Sequence, residues 1–258
     1  QRYRGLEQAR TDEQNSMINY QNTEGCRMLY LRRELDDQTA TESCGRCDNC
    51  TGKYWSMEAD TTVTAEVGKQ LSAPGIRVAA RKQWPSGISV RGKIKGLGEG
   101  RALGRLNDIG RGPALRELLD SGNFTEDPWM KRIIAVLADW DWATRPVNVA
   151  ALGSTDPDKT ALIEQVAGAI AQVGRMNFAG TLPVGAGAME VTAQNSAYRV
   201  AALLDHWDWS QGLNLVDGGP VLLVTDLIDT GWSVTVAGNG IAERSGLDVL
   251  PFALASRG

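Results

Sequence analysis

The sequence predicts a multi-domain α/β chain: a helical metal-binding module, a small α+β basic module, and a C-terminal α/β domain built on a parallel sheet. Three observations carry this. All four cysteines fall between Cys26 and Cys50. Residues 69–116 hold eleven Lys and Arg against Glu99 and Asp108, a local balance of about +9. From Pro146 onward, strand-like and helix-like segments alternate, the pattern of βα units that build a parallel sheet covered on both faces. These features set module boundaries at 1–57, 58–145 and 146–258.

A chain of 258 residues can bury a sizeable core, as one large domain or as two to three small ones. The formal net charge of −4 averages over opposite segments, since residues 147–258 carry five basic and eleven acidic side chains. That asymmetry suits a polyanion-binding module followed by a domain that does not bind a polyanion broadly. Apolar runs fall short of the roughly 18–20 residues a membrane span needs, so no membrane partner is expected. The opening QRYRGLEQAR is polar and basic, unlike a signal peptide, and lacks an initiator Met. The expectation is therefore part of a longer protein.

The cysteines are spaced as Cys26, then Cys44, Cys47 and Cys50 in SCGRCDNC. Four clustered cysteines without a secretory signal read as a metal site rather than a disulfide framework. Zinc takes four soft, deprotonated donors in a tetrahedron at about 2.3 Å. A C-x-x-C turn presents two sulfurs to one ion, with Gly45 easing the tight backbone. Three close cysteines plus one from a preceding helix complete a closed, structural zinc site. Redox cysteines or an iron–sulfur cluster are the alternatives, and the spacing favours zinc.

A helix entering at CRMLYLRREL, then a short loop and CGxCDxC, resembles the zinc-binding subdomain of RecQ-family DNA helicases over about residues 1–55. Asp48 sits inside the CDxC step. The stretch LDDQTATES (35–43) departs from the family, lacking its aromatic-Gly-acidic turn. The resemblance implies DNA as partner, a cytoplasmic, nucleoid-associated protein, and an ATP-driven 3′–5′ helicase motor upstream. ATP and Mg²⁺ would belong to that motor. This chain would be its zinc-binding accessory region, with no residue assigned a catalytic role and an oligomeric state that the sequence leaves open.

In the middle module, a helix is expected over 58–71, ended by Pro74-Gly75, and IRVAARKQWPSG (76–87) reads as a strand entering a turn. Leu103, Leu106, Ile109, Leu115, Leu118 and Leu119 have helical spacing interrupted by Gly110 and Gly112. A helix over 127–142 carries an apolar face of Trp129, Ile133, Val136, Leu137 and Trp140. Directly after a RecQ-type zinc module, these helices and a basic hairpin point to a winged-helix-like DNA contact. Arg81, Lys82, Arg91, Lys93, Lys95, Arg101, Arg105 and Arg111 would meet phosphates, releasing counterions. A solvated basic face is the alternative. Core packing fits Trp84 better than stacking on a base.

The C-terminal domain reads as a strand in RPVNVAALGS, a helix over 158–174, a strand FAGTL, a helix over about 195–207, a buried strand over 220–226, a helix over about 232–244 and a last strand DVLPFALAS. VLLVTDLIDTGWS resembles the ribose-phosphate signature of the phosphoribosyltransferase fold, and AQNSAYRVAALLDHW (193–207) is similar to a helix in competence-type members. The resemblance implies that Asp226 is the second of two strand-end acids. Asp229, Thr230, Gly231, Trp232 and Ser233 would form the loop that holds a small phosphorylated ligand. Thr225 replaces the first acid, and Trp232 is bulky for such a loop, so transferase activity is not expected. GSTDPDKT (153–160) sits like a Walker A loop, but Asp158 replaces the glycine before Lys159 and would repel phosphate. His206, the sole histidine, is given no catalytic role. The Trp-Asp-Trp pairs at 140–142 and 207–209 are expected to end helices and pack between domains.

Two readings result: a RecQ-type accessory region, or a phosphoribosyltransferase-like nucleotide- or phosphate-binding domain with a zinc-stabilised DNA-binding appendage.

Overall fold

The computed structural model describes residues 2–53, 60–71, 74–192 and 195–257, and the chain divides into two compact units, 1–71 and 72–258. In the first unit, α1 spans Arg2–Asn22, α2 Arg27–Glu34, α3 Asp48–Thr51 and α4 Thr61–Leu71. The sequence expectation of a helix from 58 begins partly outside the described residues. Asp60 starts α4 by accepting the N–H groups of Thr62 (2.7 Å) and Val63 (3.2 Å), the usual way an Asp satisfies a first turn. The described residues of this unit form almost no apolar core. Among its described residues only Ala40 is buried, while Met17, Ile18, Leu35 and Val63 are exposed. Something other than hydrophobic burial must hold it.

The second unit is a three-layer α/β sandwich. Its strands are β1 (Ile76–Val78), β2 (Gly100–Ala102), β3 (Asn148–Leu152), β4 (Asn177–Leu182), β5 (Val221–Ile228) and β6 (Val249–Ser256). The sheet order is β1-β2-β6-β5-β3-β4, with β1 antiparallel to β2 and every other pairing parallel. Its helices are α5 (Gly112–Ser121), α6 (Glu126–Ala138), α7 (Pro157–Gly174), α8 (Ser196–Leu204) and α9 (Trp232–Ser245).

Side-chain alternation along the strands decides the layers. Val149 and Ala151 of β3, with Leu222 and Val224 of β5, face α5, α6 and α7, which contribute Leu115, Leu118, Ile133, Ile163, Val166 and Ile170. Ala150 and Leu152, with Val221 and Leu223, face α8 and α9 through Val200, Leu203, Val236 and Ile241. Both faces of β5 are buried, which is why its sequence reads as a continuous apolar run.

The expected α/β alternation after Pro146 is present, with element ends shifted by a few residues. The separate middle module is not. Residues 74–145 share the sheet and the core of the C-terminal region, because β2 pairs in parallel with β6 (Arg101 with Phe252, Ala102 with Ala253). The described segment therefore joins the α/β unit, and a free-standing winged-helix-like fold is replaced by the last two strands at one side of the sheet and two covering helices. Ile109, expected on an apolar helix face, lies in a turn before α5 and is 97% exposed. Trp140, Trp142, Trp207 and Trp209 all pack within this one unit rather than between domains: Trp140 stacks on Trp142 at 4.1 Å, and Arg244 lies over Trp209 at 3.9 Å. No helix among the described residues is long and apolar enough to cross a membrane.

Candidate functional site

The cysteine cluster is assembled from two short turns. Cys26 caps α2, its sulfur accepting the N–H of Leu29, and Cys47 precedes α3, which carries Cys50. The four sulfurs lie within 4.8 Å of one another, and Cys26 and Cys47 are 4.0 Å apart, close to the roughly 3.8 Å edge of a tetrahedron with 2.3 Å metal–sulfur bonds. Backbone N–H groups of Cys44, Arg46 and Cys47 point at cluster sulfurs from 3.1 to 3.5 Å.

Those donors favour negative sulfur. The N–H groups of Cys44 and Leu29 lower the Cys26 thiol to about 6, while the neighbouring Cys47 thiol pushes Cys50 up to about 12. Four crowded thiols thus share charge poorly until a cation enters, and four soft donors with no other ligand type fit a closed, structural metal site.

Two residues that the spacing argument did not single out lock the turns together. Arg27 donates through Nε to both Asp48 carboxylate oxygens (2.9 and 2.8 Å) and through Nη1 to the carbonyl of Tyr20 at the end of α1 (2.7 Å). Asn49 donates to the carbonyls of Thr23 (2.6 Å) and Gly25 (2.8 Å). Their signal was position alone, each adjoining a cysteine or the CDxC aspartate.

In the second unit, the connections from β3 and β5 leave these adjacent strands in opposite directions. α7 carries the chain outward to β4, and α9 carries it the other way to β6. A crevice opens at the carboxyl ends of such strands, the place where open α/β sheets take ligands. Here the pocket measures about 630 Å³ and is lined by Ser154 and Thr155 after β3, by Thr225 and Asp226 on β5, and by Asp229, Thr230 and Ser233 before and in α9. Lys159, Arg199 and Arg257 supply positive charge, and Glu190 adds a further acid.

Backbone geometry shapes the loop. Gly231 caps α9 at φ +79°, a left-handed conformation that glycine adopts without steric cost. The first-turn N–H groups of α9 have no acceptor within the helix, and no side chain caps them. They sit beside the exposed Ser233, while Trp232 turns away into the core, 4% exposed. Its ring stacks on Trp84 (6.3 Å) under the Arg81 guanidinium (4.9 Å), so Trp84 packs in the core as the sequence indicated. Arg81 also donates to the Thr230 carbonyl from Nε (3.2 Å) and Nη2 (2.6 Å). From α8, Arg199 reaches Asp229 and the Thr230 hydroxyl, each at 3.4 Å. The Thr225 hydroxyl lies 3.2 Å from the Asp226 carboxylate.

The start of α7 is a different case. Asp156 caps it, accepting the N–H groups of Asp158 (3.0 Å) and Lys159 (3.4 Å), so that helix end already holds its own carboxylate. That carboxylate occupies the helix end where a Walker A loop would present its N–H groups to phosphate.

The structure gathers Asp226, Asp229, Thr230 and Ser233 at one pocket, with Gly231 setting the loop and Trp232 buried away from it. It adds Lys159, Arg199 and Arg257, to which the sequence analysis gave no role in this pocket. Of the basic residues, Arg81, Lys82, Arg91, Lys93 and Lys95 are exposed on segment 76–95. Arg105 is exposed, and half-buried Arg111 donates to the Leu103 carbonyl just before α5. Arg101 is a correction: it is 7% exposed, bonded to Glu99 at 2.5 Å and lies over Trp140 at 5.0 Å, a packed position from which it cannot serve DNA phosphates. His206 is buried edge-on against Trp207 (4.7 Å), and burial lowers its pKa.

No protein-family model matches the chain, and no curated protein matches it. Among solved structures, the adenine phosphoribosyltransferase of Saccharomyces cerevisiae, in complex with D-2,5-dideoxy-2,5-imino-altritol 1,6-bisphosphate and adenine, is similar at 17% identity over 74% of this chain and 89% of that one, with a TM-score of 0.30. At that score the similarity assigns neither a fold family nor a site to this chain.

Proposed function

We propose that unit 72–258 is a phosphoribosyltransferase-type domain that binds a sugar phosphate or nucleotide without transferring it. The same proposal gives unit 1–71 a structural zinc ion held by Cys26, Cys44, Cys47 and Cys50. The observation that carries the binding role is the loop 229–233, placed at the carboxyl end of a doubly buried central strand and leading into an uncapped helix N-terminus. Phosphate oxygens would meet the first N–H groups of α9 and the Thr230 and Ser233 hydroxyls. Asp226 would accept a ribose hydroxyl. With Thr225 in place of the first acid, the paired carboxylates needed to organise a metal-bound ribose pyrophosphate are broken, so binding is retained and group transfer is not.

The test is calorimetry with inorganic phosphate and ribose 5-phosphate on the whole chain and on Ser233→Asp. The variant places a carboxylate in the first turn of α9, which favours the helix by about 0.3–1 kcal/mol. The same charge opposes a phosphate of roughly −1.5 to −2, so the melt should hold or rise while affinity falls at least tenfold. Absence of binding to the unmodified chain sinks the proposal.

A second reading attaches the chain to a RecQ-like ATP-dependent 3′–5′ DNA helicase as its zinc-binding accessory region. The specific support is the CDxC turn, where Asp48 ties back to Arg27 beside the first cysteine, together with the exposed, acid-free basic segment 76–95. Binding of tailed duplex DNA across a salt series tests it; no binding at low salt removes the DNA-contacting part.

A further inference from the structure

The loop that would hold phosphate is a wall shared by two cavities. Beside the 630 Å³ pocket lies a second cavity of about 420 Å³, also lined by Asp229 and Thr230. Arg77, Arg81 and Lys82 line this second cavity, and Asp229 is its sole carboxylate. Positive charge continues from there. Gln83 bridges antiparallel to Lys93, which brings Lys93 opposite the 81–83 arm, with Arg91 and Lys95 on the same return arm. Segment 76–95 carries six exposed cations and no acid.

A free sugar phosphate needs the first pocket alone. A second cationic cavity across a shared wall, followed by a cationic strip, suits a ligand that carries further phosphates in series. The end of β5 also fits. A ribose within a strand has its 3′ oxygen esterified and offers at most one free hydroxyl, matching the single carboxylate Asp226 left by Thr225.

We propose that the pocket takes the 5′-phosphorylated end of a nucleic-acid strand, with the following phosphodiesters running over Arg77, Arg81, Lys82, Arg91 and Lys93. This rests on the phosphate-binding reading of the loop and extends it from small ligands to strand ends. The site would discriminate a terminal monoester phosphate from a 5′-hydroxyl, while the basic arm would hold either strand.

The test uses fluorescence anisotropy on the full chain. Probes are 3′-labelled DNA and RNA oligonucleotides of about a dozen nucleotides, within the span such grooves cover, each with a 5′-phosphate or a 5′-hydroxyl. The 5′-phosphate should tighten binding about tenfold in DNA, RNA or both, which also identifies the strand type. Ser233→Asp should erase that difference and leave the 5′-hydroxyl probes unchanged. Lys93→Glu should weaken all probes yet leave ribose 5-phosphate binding intact. Ribose 5-phosphate binding without any 5′-phosphate preference overturns this inference and leaves the small-ligand reading standing. A preference that survives in folded Ser233→Asp overturns it as well, since the end would then be read elsewhere. If neither ribose 5-phosphate nor a 5′-phosphate is recognised, both readings fall.

Discussion

Removing the metal should unfold residues 20–53 and leave unit 72–258 intact. The magnitude follows from what that stretch lacks. Only Ala40 is buried among the described residues of unit 1, and α2 and α3 are eight and four residues long. Helices shorter than about 12–15 residues are marginal on their own, so their order must come from the sulfur cluster and the Arg27 and Asn49 ties. A structural zinc site contributes about 10–16 kcal/mol in small zinc-finger peptides, comparable with the 5–15 kcal/mol total of an ordinary domain. Chelation, or Cys47→Ser, should therefore abolish folding there rather than soften it. The assay combines colorimetric zinc release, ellipticity at 222 nm and limited proteolysis. Seven of the eight tryptophans lie in residues 72–258, so their fluorescence reports the other unit, and its melt should not move. Acid should act like a chelator, because protons compete with zinc for the thiolates. Full ellipticity and unchanged protease resistance after metal removal would refute the argument.

His206 is buried with its pKa lowered below 6.5, so the unfolded chain takes up the proton first and stability should fall as pH drops from 6.5 toward the folded value. Melting curves between pH 7 and 5 should show a shallower loss in His206→Gln; equal slopes would remove the histidine from the account. Thr225→Asp puts a second carboxylate at a 5% exposed position beside Asp226 and should cost about 1–3 kcal/mol, partly recovered by Mg²⁺. A melt insensitive to Mg²⁺ would show that the strand end cannot arrange paired acids. Charge reversal at Lys93 and Lys95 should flatten the salt dependence of nucleic-acid binding by about two units if both meet phosphates. An unchanged slope returns that arm to a solvated face.

The C-terminal alternation was legible because each element there carries its own local signal. β5 is an unbroken apolar run, α7 has a helical period, and glycine marks the turn into α9. β2 carries no such signal. It is three residues long, it includes Arg101, and its strand character comes from pairing with β6 some 150 residues away. Charge counting placed Arg101 with the phosphate-contacting cations, whereas Glu99 and Trp140 draw it inward. The domain boundary was misplaced for the same reason: composition shifts at 146, but the sheet does not. At the pocket, the loop residues share one sequence segment and could be found together. Lys159, Arg199 and Arg257 come from three separate elements, and only the fold brings them to the same crevice.

Trp232 shows how a substitution that looks obstructive in sequence can be neutral in structure. A bulky residue in a phosphate loop should block it if the side chain faces the ligand. Here successive residues of the first turn of α9 diverge, so Trp232 is buried and Ser233 is exposed at the pocket. The indole packs against Trp84 under Arg81, whose guanidinium also holds the Thr230 carbonyl. The first-turn N–H groups of α9 stay without a side-chain cap, and the indole packs away from the pocket. Of the two departures from the phosphoribosyltransferase signature, only Thr225 then alters the chemistry available. On the proposed reading, Thr225 in place of an acid would remove a ligand for a metal ion and a ribose hydroxyl, yet leave the helix N-terminus, Ser233 and Asp226 in place. On that reading, such a pocket would keep the means to hold a phosphate while lacking the paired carboxylates that would organise a metal-bound ribose pyrophosphate.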